Sequence, residues 1–237
     1  MEIFPAIDLI GKQAVRLYQG DYEKVTVYGN DPLAVAKGFA AEGASFLHVV
    51  DLEGARDGGT PNFDVVASLA AESGLQVEIG GGIRDAETVE RYLAAGVFRV
   101  ILGTAALTDR AFLREMLRIY GKRIAVGADV RGGKIAVRGW RETSDVSLSD
   151  FCGDLETLGA QTLICTDISK DGAMQGTNRA LYRELAQTLS MDLVASGGIS
   201  TLADVAALRE IGVKGAILGR ALYTGGICLR EAIEVAK

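Results

Sequence analysis

Two aspartates and a set of paired glycines are the residues of this chain best placed to do chemistry. Asp8 closes an apolar run at 2–8, and Asp129 closes another at 124–129. Two carboxylates at strand ends can work as base and acid when their surroundings separate their proton affinities. The alternative role, capping a helix, fits less well. Each aspartate leads into a hairpin-like stretch, Gly11-Lys12-Gln13-Ala14-Val15-Arg16 and Gly133-Lys134-Ile135-Ala136-Val137-Arg138, and not into a helical pattern. The glycines follow other short apolar runs: Gly81 and Gly82 after Val77-Glu78-Ile79-Gly80, Gly103 and Thr104 after Val100-Ile101-Leu102, Gly197 and Gly198 after Leu193-Val194-Ala195-Ser196, Gly219 and Arg220 after Ala216-Ile217-Leu218. A Gly-rich turn that opens a helix presents free backbone N–H groups with the positive end of the dipole behind them, which suits phosphate. A tight left-handed turn is the other use of any one of these glycines.

The elements that must position these residues are legible in the hydrophobic pattern. Strand-like runs lie near 2–8, 45–51, 75–79, 97–102, 124–129, 161–166, 191–195 and 213–218, each nearly continuous in apolar residues. That is the pattern of strands buried on both faces of a parallel sheet. Helical periodicity lies between them, as at 86–95 with Val89, Tyr92 and Leu93, and at 202–211 with Val205, Leu208 and Ile211. Asp85 and Asp204 stand near the starts of these two helices, where carboxylates suit the dipole. About eight strands alternating with about eight helices predict an α/β fold, either a (β/α)8 TIM barrel or a doubly wound open sheet.

An internal repeat selects the barrel. Residues 80–107 and 196–223 share 10 identities in 28 ungapped positions, among them Gly81/Gly197, Gly82/Gly198 and Gly103/Gly219. The same offset of 116 maps Asp51 onto Asp167, and an offset of 121 maps Asp8 onto Asp129. The chain therefore reads as a single 1–237 barrel built from two repeated half-barrels, about 1–120 and 121–237. Each half alone would expose sheet edges, and closing on the other half removes them. In such a barrel the site lies at the carboxyl ends of the strands, and strands one and five face each other across the mouth. Two facing carboxylates between two anion sites suit acid/base chemistry in the middle of an elongated bisphosphate.

Composition narrows the function classes. Lys plus Arg is 25 and Asp plus Glu is 31, a net charge of −6 that argues against a nucleic-acid surface. No apolar run reaches the roughly 18–20 residues a membrane span needs, and the N-terminal residues do not read as a signal peptide. Cys152, Cys165 and Cys228 are odd in number and lack CxxC spacing, which predicts reduced thiols in a cytoplasmic protein. The single histidine, His48, excludes a multi-histidine metal centre. The segments 19–30 and 138–147 are Gly-rich or polar and are expected as loops that close over the site.

The motifs Phe4-Pro5-Ala6-Ile7-Asp8-Leu9, Gln19-Gly20-Asp21-Tyr22, Leu47-His48-Val49-Val50-Asp51-Leu52, Gly80-Gly81-Gly82-Ile83-Arg84, Arg138-Gly139-Trp140 and Thr166-Asp167-Ile168-Ser169-Lys170-Asp171-Gly172 resemble those of the phosphoribosylformimino-aminoimidazole-carboxamide ribotide isomerases of histidine biosynthesis. The resemblance covers essentially the whole chain. It implies a (β/α)8 barrel that performs an Amadori rearrangement, aminoaldose to aminoketose, on a bisphosphorylated small molecule, with no metal and no organic cofactor. Carried over, Asp8 is the general base and Asp129 the general acid. Thr166 and Asp171 hold ribose or support the acid, and His48 and Asp51 line the site. Arg84 and Trp140 contact the aglycone or close a loop. Gly81, Gly82, Gly103 and Thr104 hold one phosphate; Gly197, Gly198, Gly219 and Arg220 hold the other. Structural alternatives stay open: a satisfied buried imidazole for His48, a hydrogen bond to a neighbouring loop for Asp51, a turn carboxylate for Asp171, a surface cation for Arg84 and a loop anchor for Trp140.

Three other readings belong beside this one. The cyclase subunit of imidazole glycerol phosphate synthase shares the repeat and the paired aspartates, but it begins with a Cys-Leu-Asp-Val pattern and carries a lysine in the next strand. Here Ala6-Ile7-Asp8-Leu9 and Arg16 stand in those places. A dual-specificity relative also isomerises phosphoribosylanthranilate. A non-catalytic scaffold barrel would have no need of both Asp8 and Asp129. The isomerase reading predicts a monomer, since one chain supplies both acid and base.

Overall fold

Apolar runs of four to nine residues, each ended by a glycine, an aspartate or a polar turn, become strands, and the amphipathic segments between them become helices. The computed structural model describes residues 1–18 and 20–237. Gln19, the first residue of the Gln19–Tyr22 motif, lies outside the described residues. The strands are β1 (Glu2–Ile10), β2 (Gln13–Tyr18), β3 (Asp21–Gly29), β4 (Phe46–Asp51), β5 (Gln76–Gly80), β6 (Arg99–Leu102), β7 (Ile124–Arg131), β8 (Lys134–Val137), β9 (Glu142–Ser147), β10 (Thr162–Asp167), β11 (Asp192–Ser196) and β12 (Gly215–Leu218). The helices are α1 (Pro32–Ala41), α2 (Leu52–Asp57), α3 (Phe63–Glu72), α4 (Ala86–Ala94), α5 (Thr104–Thr108), α6 (Arg110–Tyr120), α7 (Leu148–Leu158), α8 (Arg179–Thr188), α9 (Leu202–Ile211), α10 (Arg220–Tyr223) and α11 (Leu229–Ala236).

Eight strands pair in parallel in the order β1-β4-β5-β6-β7-β10-β11-β12, and β12 returns to β1. This is the closed (β/α)8 barrel that the repeat predicts, and the open sheet is excluded. Alternate residues divide into two cores. One face of each strand packs outward on the helices, as Leu47, Val49 and Ile79 do. The other fills the barrel with Phe4, Ala6, Ile101, Ala125, Ile164, Val194 and Ile217. Among the described residues no helix is long and apolar enough to cross a membrane.

The segments expected as loops are strands. Residues 21–29 form β3 and residues 142–147 form β9, each added antiparallel to a return strand, β2 or β8. Their side chains are mostly exposed, so they lack the apolar run that marks a barrel strand. Backbone pairing at the barrel's rim orders them instead. The hairpins also correct one alignment. Asp8 pairs with Val15 and Asp129 with Ala136, so the halves repeat here at an offset of 121 throughout. The counterpart of Arg16 is therefore Val137 and not Arg138. A one-residue slip of this kind changes the face of every side chain.

Candidate active site

The carboxyl ends of the eight strands surround one cavity of about 1540 Å³, its open mouth included. Asp8 and Asp129 both line it, on the first and fifth barrel strands. Their surroundings differ. Arg16, on the return strand β2, donates from Nη1 to Asp8 Oδ2 at 2.8 Å and from Nη2 to the Ala6 carbonyl at 2.7 Å. Asp8 thus faces the cavity as one half of an ion pair whose side chains are each 13% exposed.

Among the described residues no cation is ion-paired with Asp129. Burial pushes its carboxyl above the ordinary value. The Trp140 indole, the Thr166 hydroxyl and His48 oppose that push without cancelling it. Thr166 reaches Asp129 because β10 and β7 are neighbours with those two residues in register. A third carboxylate, Asp171, stands in the turn after β10. Burial, with Asp8 and Asp129 adding like charge, raises it to about 6, while Arg16 and His48 pull the other way. The mouth therefore holds one carboxylate clamped by a cation and two that favour the proton.

His48 lines the same cavity from β4, and its Nδ1 lies 2.6 Å from Glu78 Oε1. Asp51, predicted beside it, does not reach the cavity. It is fully buried, it caps α2 by accepting from Gly54 N–H, and it accepts from the Asn62 backbone N–H and side-chain amide. Strand parity is the reason: His48 and Val50 face inward, so Asp51 points to the helices. Its repeat partner Asp167 does the same with the Ser169 N–H and the Asn178 amide, and Asn62 and Asn178 are themselves 116 residues apart. The candidate substrate contact at Asp51 is thus corrected to a structural hydrogen-bond centre.

The glycine turns are duplicated in conformation as well as sequence. Gly81 and Gly82 have φ of 106° and 75°, Gly197 and Gly198 of 93° and 78°, all left-handed. A Cβ on Gly82 would lie 2.6 Å from the Gly54 and Gly59 carbonyl oxygens, and one on Gly198 2.5 Å from the Gly176 carbonyl. Gly103 and Gly219 share nearly one conformation, with φ/ψ of −97°/−104° and −105°/−109°, and each caps the short helix that follows it. All six line the cavity, in two groups on either side of the mouth. Thr104 also accepts the Arg138 N–H at 2.9 Å, and Arg220 donates to the Gly172 carbonyl at 2.6 Å. The first therefore ties one cradle to the Trp140 segment, and the second ties the other cradle to the Asp171 turn.

Arg84 lines the rim beside Gly58. Trp140, at φ 69°, covers Gly20 so closely that a side chain there would collide with the indole. The two repeat-related hairpins thus meet over the mouth.

Sequence reasoning missed Glu78 and Arg99, and it used Arg16 only to separate two families. Glu78 and Arg99 had a signal: each is a charge inside a strand whose neighbours are apolar, Val77-Glu78-Ile79 and Phe98-Arg99-Val100. A charge at such a position is buried and needs a partner.

Comparison with known proteins places the chain in a family. Residues 2–228 match the family model described as "Histidine biosynthesis protein". A protein of Ruminiclostridium cellulolyticum is 47% identical over 98% of this chain and 99% of its own length. One of Picosynechococcus is 49% identical over 99% and 93%, and one of Chloroflexus aggregans is 46% identical over 100% and 98%. Each bears the name 1-(5-phosphoribosyl)-5-((5-phosphoribosylamino)methylideneamino) imidazole-4-carboxamide isomerase. With a match that runs nearly end to end and relatives this similar over their full lengths, the chain belongs to the histidine biosynthesis protein family.

Proposed function

We propose that this chain is the aldose–ketose isomerase whose name its relatives carry. On this reading it converts the phosphoribosyl-formimino-aminoimidazole-carboxamide ribotide to its phosphoribulosyl isomer by an Amadori rearrangement. The observation that carries the reading is the unequal treatment of two facing carboxylates, one ion-paired and one buried and proton-favouring, between repeat-related glycine cradles.

The reaction divides accordingly. One phosphate sits against Gly81, Gly82, Gly103 and Thr104, the other against Gly197, Gly198, Gly219 and Arg220, so the sugar lies between the carboxylates. Binding energy from the two ends thus orients the reacting carbons. Asp129, as acid, protonates the ring oxygen while the C1′–O bond breaks and the nitrogen lone pair forms C1′=N. Asp8, as base, takes the C2′ proton, and those electrons move through C1′=C2′ to nitrogen. Ketonisation of the C2′ hydroxyl then returns a proton to C1′, so the product is an isomer with no net change of protons. Thr166, Asp171 and Trp140 hold or orient the acid, and Arg84 and His48 contact the substrate. Each proton transfer contributes about 10²–10⁴ in rate.

Three free cysteines support a cytoplasmic setting, and a complete set of reacting groups in one chain supports a monomer. The test is to add the bisribotide to the purified protein with EDTA present and follow isomerisation through a coupled cyclase–glutaminase. The expected result is rapid turnover. A folded sample that leaves the substrate unchanged while the coupling enzymes are active overturns the reading.

A further inference from the structure

Beneath the mouth the barrel interior holds charges that the reaction above does not use. Glu78, on β5, is fully buried, and its two oxygens are divided between two partners. Oε1 faces His48 Nδ1 at 2.6 Å, while Oε2 accepts from Arg99 Nε at 2.9 Å and from Arg99 Nη2. Arg99 in turn donates from Nη1 to Thr162 Oγ1 at 3.3 Å. Burial alone would raise the Glu78 carboxyl, but the hydrogen bonds and charges of His48 and Arg99 together hold it below its ordinary value. With the His48 ring neutral, the two Arg99 donors on one oxygen still keep Glu78 an ionised carboxylate, which accepts hydrogen bonds and donates none.

We infer that Glu78 is a positioning residue that fixes His48 as the Nδ1–H tautomer and turns its Nε2 lone pair to the cavity. An acceptor-only partner at 2.6 Å requires the proton on Nδ1. In a neutral imidazole the other nitrogen is then an acceptor. Nε2 has no partner among the described residues, and the ring lines the cavity within electrostatic reach of Asp129 and Asp171. It thus offers a hydrogen-bond acceptor to a hydroxyl of the bound sugar. Arg99 keeps Glu78 from turning, since both of its donated bonds fall on the oxygen away from His48. What His48 does to substrate rests on the isomerase reading. The tautomer is read in the free protein, so it stands or falls apart from any turnover assay.

His48 is the only histidine in the chain, so its two ring nitrogens give an unambiguous ¹⁵N spectrum. At a pH where the ring is neutral, wild-type protein should show a protonated Nδ1 and an unprotonated Nε2. Wild type with the proton on Nε2, or averaging between tautomers, overturns the inference whether or not any variant folds. Glu78→Gln inverts the logic. A glutamine has one acceptor oxygen, the two Arg99 donors retain it, and the amide NH₂ is left facing Nδ1. The expected result is a switched tautomer with kcat lowered at least about tenfold. A folded Glu78→Gln protein that keeps the wild-type spectrum also overturns the inference.

Discussion

Asp8 and Asp129 are one residue type in two environments, and the difference between those environments is the candidate mechanism. Arg16 is ion-paired with Asp8, whereas burial raises the carboxyl of Asp129 above its ordinary value. Asp8→Asn and Asp129→Asn should each lower kcat by at least about 100-fold with KM little changed, measured in steady state. Wild-type turnover in Asp8→Asn would remove the base assignment. Asp171 supplies a separate test through stability. Its carboxyl rises from 3.8 to about 6 on folding, so the native state binds the proton more tightly than the unfolded chain does. That contribution to stability is complete below pH ~3.8 and is lost as pH rises through ~6. Asp171→Asn should therefore melt higher than wild type at pH 7.5, and equally at pH 3.8. After allowance for its partial exposure the gain is about 1–2 kcal/mol, or roughly 2–8 °C. Equal melting temperatures at both pH values would show that the buried carboxylate costs nothing.

At the scale of elements, the glycine turns are first a packing solution. A side chain at Gly82 carries a cost in folding, because the added Cβ meets two carbonyl oxygens at 2.6 Å. Gly82→Ala and Gly198→Ala should each lose roughly 2–5 kcal/mol in urea unfolding, from the left-handed backbone and the collision together. Gly153, exposed in α7 with open space around it, is the control. Gly153→Ala should gain up to about 1 kcal/mol of helix propensity. Similar losses at all three sites would mean that neither the left-handed backbone nor the collision sets the cost. The same packing explains which features the sequence carried. The eight barrel strands were legible within about two residues because buried parallel strands are apolar on both faces. The repeat offset made Gly81/Gly197 and Asp8/Asp129 legible as pairs. β3 and β9 were not, because they are ordered by edge hydrogen bonds and carry exposed side chains. The sequence left Asp51 open between substrate contact and a structural hydrogen bond. The choice depends on strand parity and on Asn62, eleven residues away and in no motif.

At the scale of the whole molecule, closing the barrel is what assembles the candidate site. The two halves meet along β6–β7, where Val100, Ile101 and Leu102 pair with Ile124, Ala125 and Val126, and along β12–β1, where Gly215 to Leu218 pair with Glu2 to Pro5. Cutting between Tyr120 and Gly121, just after α6, opens both seams and leaves each half with two unpaired strand edges over an apolar face. Such edges pair with whatever strand is at hand. Residues 1–120 and 121–237 made separately should therefore self-associate, and mixed on refolding they should give a 1:1 particle of the intact barrel's size by sedimentation. Asp8 lies in one half and Asp129 in the other, so only the mixture should turn substrate over. Introducing Asp8→Asn into the first half separates the two requirements: the particle should still form, without activity. Halves that sediment as folded monomers would mean that each buries its own edges and that closure is not what holds them together. Activity in either half alone would mean that the facing carboxylates are not both needed.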